Sequence, residues 1–454
     1  MVARKLNRLV TDHPTLSRGK SLQHRPLLVI LDRNMDLITP VQHTSTYQAL
    51  IDDTLKHKGN RVEFSVTVEN ERRRWPQTVQ KKFDLDPDED PFYSNHKFNA
   101  FPEAIESNGA ELQEVTAREN EIRSKATGGE SDSKVVKSDP MGGSATTDLT
   151  NAVDSLPVLL ERKKQLETHT SILQAVMNEV ASRDVPQFYE LESSLAIGQY
   201  KNDLAKAKNE VLSLVTDPSK GNVEDKIRLV LVFTLATSAS SSDITEVANN
   251  MAESLETKGL VAGKSDPNSA EENKRAPLTK DDRIKVEKGM RAIEYLKNLR
   301  SMQMIPTMTN ASSMQTYSQS SSNNSDLLSN LMSRASNQAT GLLAKATDRV
   351  TSMLGKTHKH LATRVIESLC EMKPNTEDDE YLYLDPKVKG DVDVKKLRTM
   401  ARVPVKEVIC FVVGGGCYAE YQNLQMLANE SRTISYGSTE LASPGDFLSQ
   451  LGKL

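Results

Sequence analysis

Cysteine is scarce: Cys370, Cys410 and Cys417 are the three in 454 residues. They show no close zinc-type spacing and cannot build a disulfide framework. Buried or idle thiols in a reducing, cytosolic compartment are expected. Aromatic residues are also few, at 5% with a single Trp. No apolar run approaches the roughly 20 residues that span a bilayer. The basic opening stretch MVARKLNRLVTDHPTLSRGK has no secretory core behind it and carries no strong pattern, so 1–24 reads as a lead-in. A strongly basic balance is missing too. A formal net charge of -4 and a pI near 6.1 lack the footprint of a general nucleic-acid binder. Hydrophobic content of 37% and a mean hydropathy of -0.51 describe a soluble, helix-rich chain with disordered stretches.

What is present begins with Leu27–Leu31, a continuous apolar run that ends abruptly in Asp32-Arg33-Asn34 with Asp36 close behind. Such a run reads as a parallel-sheet strand buried on both faces. Val62, Phe64, Val66 and Val68 alternate with polar residues, the period of a half-buried strand, and a second strand ends near Trp75-Pro76. KKFDLDPDEDPFYSNH (81–96) reads as an exposed connection. From 98 to 125, Phe98, Ile105 and Leu112 recur at seven, beside a second row, Phe101, Val115 and Ile122, interrupted at Asn108. From 154 to 180, Leu159, Leu166, Leu173 and Val180 recur likewise, with Val176 widening the stripe. The two segments suggest an antiparallel helical hairpin over 98–180. Its apolar rows can pack on each other or receive a partner helix. Residues 126–150, 259–279 and 306–325 are polar or low-complexity and are expected to be flexible loops.

Further helices are expected at 183–215, 223–236, 241–258 and 280–300. Near the end, VKEVICFVVGGG (405–416) is a buried strand opening into three glycines, followed by a helix, a short strand and a capped terminal helix. The expected fold class is therefore α/β plus mainly α. A discontinuous α/β domain with a parallel sheet, 25–60 and 375–454, would carry a large helical insert, 61–374.

Two groups of residues could carry chemistry. Gly414, Gly415 and Gly416 stand between strand and helix, where backbone N–H groups can cradle a phosphate. They lack the second-half glycine of a dinucleotide fingerprint and the Lys-Ser/Thr of a nucleotide loop, and can equally ease a tight turn. Asp32 and Asp36 resemble a magnesium-holding pair in a phosphoryl-transfer enzyme, yet no third ligand accompanies them. Arg33 pairing and backbone capping explain the same residues. His358-Lys359-His360 has no metal spacing with a third ligand. Arg72-Arg73-Arg74-Trp75 suits a solvated strand edge better than a nucleic-acid patch. No Ser-His-Asp or Cys-His set is apparent, so no cofactor, metal or catalytic residue is assigned.

RPLLVILDRNMDLITPVQHTSTYQALIDDTL resembles the domain-joining segment of the SM family, the Sec-one/Munc-eighteen proteins that bind syntaxins. FVVGGGCYAEYQNLQ with TISYGSTELASPGDFL is similar to the C-terminal signature of the family's Sly-type branch. DSLPVLLERKKQLETHTSILQAVMNEVASRDVPQFYELE resembles its second helical-hairpin arm. The resemblance runs from about residue 25 to the C-terminus and omits the family's N-terminal domain and the early part of its second domain. A shortened isoform or fragment is thus expected, with a joint turn at Asp32, Arg33 and Asp36. The resemblance implies a non-enzymatic chaperone that aligns SNARE helices for ER–Golgi and intra-Golgi transport. Its partners would be a Golgi syntaxin and other SNARE helices, with tethering factors and Rab-type GTPases beyond them. Membrane association would be indirect, and the protein cytoplasmic, on ER and Golgi membranes. The docking face expected on the hairpin is Leu159, Leu166, Leu173, Val176 and Val180 on one arm, and Phe98, Ile105 and Leu112 on the other.

Overall fold

A computed structural model describes residues 1–13, 26–68, 77–126, 144–261, 275–305, 358–371, 381–385, 392 and 405–454. Helix α1 (Val2–Asp12) comes first, then strand β1 (Leu27–Asp32), one 3-10 turn at Arg33–Met35 and α2 (Tyr47–Thr54). Strands β2 (Lys56–Lys58), β3 (Arg61–Val68) and β4 (Gln77–Asp84) follow. Asp90 starts α3 (Pro91–His96) by accepting from the Tyr93 amide. The long helices α4 (Phe101–Ala126) and α5 (Ser144–Arg183) come next. Then come α6 (Val185–Ala196), α7 (Leu204–Val215), α8 (Val223–Ala236) and α9 (Ser241–Lys258). A two-stranded pair, β5 (Leu260–Val261) and β6 (Arg275–Ala276), precedes α10 (Lys280–Ser301). Helix α11 (Leu361–Glu371), β7 (Glu407–Val413), α12 (Tyr418–Gln425), β8 (Thr433–Ser438) and α13 (Pro444–Leu451) complete the order. Capping boxes start α8, α9 and α10 at Asn222/Asp225, Ser240/Asp243 and Thr279/Asp282. Each satisfies two otherwise unpaired amides.

The chain divides into two compact units, one from Met1–Thr44, Arg183–Gln319 and Gly355–Leu454, the other from Ser45–Ser182 and Ser320–Leu354. In the first, β1, β7 and β8 form a parallel sheet in that order, with Leu27 opposite Val408 and Asp32 opposite Val413. Residues of α11 and α12, among them Ile366, Leu369 and Leu424, join Val29, Leu31, Val408, Cys410 and Val412 in one core. Leu28, on the opposite face, is 44% exposed. The run 27–31 is therefore fully buried on one face only, with Val29 and Leu31 inward and Leu28 exposed and Ile30 half-buried on the other. A second core in this unit surrounds α8, where every residue from Leu229 to Phe233 is fully buried. Each such Leu, Val or Phe contributes about 1.5–3 kcal/mol of burial. Gly289 of α10 lets that helix close on α8, since a Cβ there would meet Ile227.

In the second unit β2, β3 and β4 pair antiparallel, and α4 and α5 run antiparallel beside one another. Asn108 Nδ2 donates to Thr170 Oγ1 at 2.7 Å and Lys163 bonds Glu119 at 2.8 Å, so the numbering rises on one helix as it falls on the other. Asn108, the break in the apolar row, is thus a buried polar pairing.

Several boundaries differ from the sequence reading. Residues 2–12 form a helix within the expected lead-in, one with no buried residue. The expected domain boundary at 60/61 falls in a hairpin, because Lys58 pairs with Arg61. Residues 183–261 and 275–305 cluster with the parallel sheet rather than with the hairpin. Helix α5 begins at Ser144, inside the expected 126–150 loop, and the expected connection 81–96 contains half of β4 and all of α3. A short strand pair occupies both ends of 259–279. The remainder of those two loops, all of 306–325, and Arg72, Arg73, Arg74 and Trp75 lie outside the described residues.

Candidate functional site

At the end of β1 the acids act on the backbone. Asp32 accepts from the Asn34 amide at 2.9 Å, and Asp36 Oδ1 accepts from the amides of Ile38 and Thr39, both at 3.0 Å. The Thr39 hydroxyl donates to Asp36 Oδ2. Burial works against an ionised Asp36, but Arg33 and Thr39 outweigh it and hold the carboxyl below its ordinary range. Arg33, 6% exposed, reaches across the sheet end to Glu420 of α12. Its Nη1 and Nη2 meet Glu420 Oε2 and Oε1 at 3.0 and 3.1 Å, a bidentate pair, while Nε donates to the Asp36 carbonyl at 2.8 Å. The Tyr436 hydroxyl donates to Glu420 Oε2 at 2.6 Å and accepts from the Cys417 amide at 3.2 Å. Burial pushes the thiol of Cys410 up to about 12 and that of Cys417 higher still. Both stay protonated. Burial also drives His358 down to about 3, so it is neutral at physiological pH.

The three glycines serve this joint. Gly414 and Gly415 have φ of 106° and 97°, and a Cβ on Gly416 would strike the Tyr436 hydroxyl and Ser438. The amides of Gly414 and Gly415 both donate to Thr439 Oγ1, and the Gly416 amide donates to the Glu440 carbonyl. With all three donors engaged inside the protein, the phosphate-cradle reading fails. The magnesium reading loses its support with it: Asp36 spends both oxygens and Asp32 one on the turn, and among the described residues no third ligand joins them.

A second buried charge cluster lies where the first unit's segments lead towards residue 45 and back from residue 182. His43 Nδ1 meets Glu192 Oε1 at 2.9 Å and its Nε2 meets Asp225 Oδ1 at 3.0 Å. Arg183 Nε bonds Asp225 Oδ2 at 3.0 Å, and Arg228 Nε donates to the Val41 carbonyl at 2.6 Å. Burial and Arg228 pull the His43 pKa down, yet Glu192 and Asp225 prevail and raise it, so the imidazolium is favoured. No sequence motif announced this cluster or Glu420. The partners are remote in sequence.

On the hairpin, Leu166 and Val180 have no exposed surface, nor has Val176, and Leu173 is 5% exposed. Tyr47, Phe92 and Phe101 of the same unit are also fully buried. Core packing claims these four, so they form no open docking row. Leu159, Phe98, Ile105 and Leu112 are half-buried, and Phe98 precedes α4. Val158, 72% exposed, and Leu160, 41% exposed, flank Leu159 on α5. A polar string inside this unit runs from the Tyr47 hydroxyl to His169 Nδ1, at 2.8 Å, and from His169 Nε2 to Asp90, at 2.7 Å. A groove of about 1460 Å³ in the first unit, between α9 and α10, mixes Glu256, Glu287 and Glu294 with Arg283, Arg291 and Lys453. Among the described residues no group of three or more His, Cys, Asp or Glu could hold a metal ion, and no helix is long and apolar enough to cross a membrane.

A mostly helical chain folded with a parallel sheet is the architecture of the SM proteins. The crystal structure of Sly1p in complex with an N-terminal peptide of Sed5p superimposes with a TM-score of 0.64 at 23% identity, covering 100% of this chain and 62% of that one. Vps45 in complex with the Qa SNARE Tlg2 gives 0.59 at 14% identity, over 99% and 64%. The sequence matches the Sec1 family over residues 1–450, and the chain belongs to that family. Sec1 family domain-containing protein 1 of Mus musculus is 32% identical over 456 residues, 99% of this chain and 63% of its own length. The Homo sapiens protein of that name is 33% identical over 97% and 62%, and Protein SLY1 of Saccharomyces cerevisiae 26% identical over 97% and 61%. The chain thus spans somewhat less than two thirds of the length of the relatives it matches.

Proposed function

We propose that this chain binds SNARE helices and promotes their assembly for vesicle docking and fusion in ER–Golgi and intra-Golgi transport, acting by binding rather than by catalysis. Its partners on this reading are a Golgi syntaxin and the SNAREs that join it, with tethering factors and Rab-type GTPases further out. It works from the cytoplasmic side, peripherally on ER and Golgi membranes. The family match supports the class, and the structure titles name an N-terminal peptide of Sed5p in complex with Sly1p and the Qa SNARE Tlg2 in complex with Vps45.

The observation that carries the docking face is the exposure of Val158 and Leu160 on α5. Helix-in-groove recognition needs apolar side chains that core packing has not claimed. The face is therefore centred on half-buried Leu159, with exposed Val158 and Leu160 flanking it at about 100° to either side, and with Ile105 and Leu112 on the neighbouring arm. The buried Leu166, Leu173, Val176 and Val180 support it from behind.

A pulldown of the chain with Golgi SNARE motifs tests this. Val158→Asp with Leu160→Asp should abolish capture while leaving the melting temperature within a degree or two, since exposed substitutions cost about 0.5 kcal/mol or less. Leu166→Ala should instead lower stability by about 2–5 kcal/mol, the cost of an emptied core site. Undiminished capture by the Val158/Leu160 variant would remove the face assignment. Failure of the unaltered chain to capture any Golgi SNARE motif would remove the function.

A further inference from the structure

We infer that His43, Glu192 and Asp225 form a proton-dependent latch on the two points where the chain passes between its units. Both crossovers stay closed while His43 carries its proton, and they open together when it is lost. The chain leaves the first unit after Thr44 and returns at Arg183. His43 therefore stands one residue before the outward crossover ends, and Arg183 is the first residue after the return. Both bond Asp225 of α8. His43 Nε2 meets Asp225 Oδ1 at 3.0 Å, and Arg183 Nε donates to Oδ2 at 3.0 Å. Further ties secure each side. Arg228 Nε donates to the Val41 carbonyl at 2.6 Å, Gln42 Nε2 to Ser193 Oγ at 3.2 Å, and the Gly221 amide to the Arg183 carbonyl at 2.9 Å. Asp184, next in the chain, has a φ of 53°, a left-handed backbone that a non-glycine residue keeps only where its surroundings impose it. All of these residues belong to the first unit.

The geometry itself requires the proton. The side chains of His43, Glu192 and Asp225 have no exposed surface, and each ring nitrogen faces a carboxylate oxygen, Nδ1 lying 2.9 Å from Glu192 Oε1. The His43 amide donates to the other Glu192 oxygen at 2.7 Å. A neutral imidazole has one N–H, so its second nitrogen would set a lone pair against a carboxylate. The imidazolium puts a donor on both. The charged groups around the ring are Glu192 from α6, Asp225 and Arg228 from α8, and Arg183 at the end of α5, with the Phe188 ring 5.5 Å away. Burial and Arg228 oppose the proton, and Glu192 and Asp225 outweigh them. Lys226, the other buried cation of α8, donates to the Asp217 carbonyl at 2.7 Å. Once the proton leaves, parting residues 41–44 from α6 and α8 relieves the repulsion. Water reaching Asp225 then screens the Arg183 pair, which loses most of its strength on exposure. The turn at Asp184 loses its anchor in the same step, so the two crossovers open as one unit.

Hydrogen exchange of the full chain over a series of pH values, corrected for the intrinsic rise of exchange with pH, tests it. The His43 amide reports the outward crossover and the Gly221 amide the return. Their opening constants should agree, stay level below the ordinary histidine value of 6.5, and rise together above it. One proton released on opening makes that rise about tenfold per pH unit, until the folded-state value is passed. Both constants should exceed those of the β7 amides by about tenfold or more, because β7 is freed only with its whole unit. In His43→Gln the rise should vanish. Opening constants that do not change with pH in the unaltered chain would overturn the inference, as would a rise at one crossover alone or constants equal to those of β7. A His43→Gln variant that keeps the rise would overturn it too, since the proton would then sit elsewhere. The unaltered chain decides the matter even if His43→Gln does not fold. SNARE capture plays no part in the readout, so the latch and the SNARE reading stand or fall separately.

Discussion

Replacing Glu420 with Gln perturbs the joint at the end of β1 with little change of shape. In the unaltered protein Glu420 gives each guanidinium nitrogen its own oxygen, at 3.0 and 3.1 Å, and accepts from Tyr436 at 2.6 Å. A glutamine has one acceptor oxygen and one NH2 group. Whichever way it turns, a donor faces a donor. Arg33 cannot relieve the clash by losing its proton: burial disfavours its charge, but Glu420 and Asp36 hold its pKa above the ordinary 12.5. Removing one partner of a buried ion pair costs about 3–5 kcal/mol. The low end applies here, because Arg33 keeps the Asp36 and Gly415 carbonyls and the Asp36 carboxylate at 4.0 Å. About 3 kcal/mol corresponds to a fall of about 6–12 °C in the melting of a unit of this size. Thermal denaturation followed by circular dichroism reads the shift, and hydrogen exchange should place the loosened amides in β1 and β7. The double replacement Arg33→Met with Glu420→Leu should recover most of the loss, because it leaves no unpaired buried charge. A Glu420→Gln variant within about 0.5 kcal/mol of the unaltered protein, or a double-mutant cycle with no coupling, would refute the reasoning.

The His43 cluster makes stability depend on pH. A folded-state pKa raised above the ordinary 6.5 gives a contribution fully present below that value and lost as pH rises through the folded one. The melting-temperature gap between the unaltered protein and His43→Gln should therefore narrow as the pH rises above the ordinary histidine value and through the raised folded one, and a constant gap would contradict a charged His43. Gly416→Ala would drive a methyl group into the Tyr436 hydroxyl and Ser438 and should cost about 1–3 kcal/mol by denaturant unfolding.

Apolar spacing carried much of the element placement, because 3.6-residue and two-residue periods are local properties of the chain. The rows on α4 and α5 were legible for that reason. Their direction was not. Whether Leu166, Leu173 and Val180 face a core or a partner depends on Tyr47, Phe92 and Phe101, which arrive from other elements. The polar pairings were hidden for a stronger reason. Arg33 and Glu420 are 387 residues apart and His43 and Glu192 are 149 apart, so no window of sequence contains both members. The glycine loop looked like a ligand cradle because a phosphate site and a tight strand-to-helix joint use the same residue type. Only the fate of the amides separates them, and here Thr439 and Glu440 take all three. The division of labour is physical. Apolar periodicity specifies which segments become helices and strands, where many near-equivalent packings are possible. A buried arginine or histidine admits few partners, because an unpaired charge inside costs several kcal/mol. The long-range pairs Arg33–Glu420 and His43–Asp225 therefore select which of those packings is kept within the first unit, and substitutions at them should disturb fold specificity more than any single core leucine would.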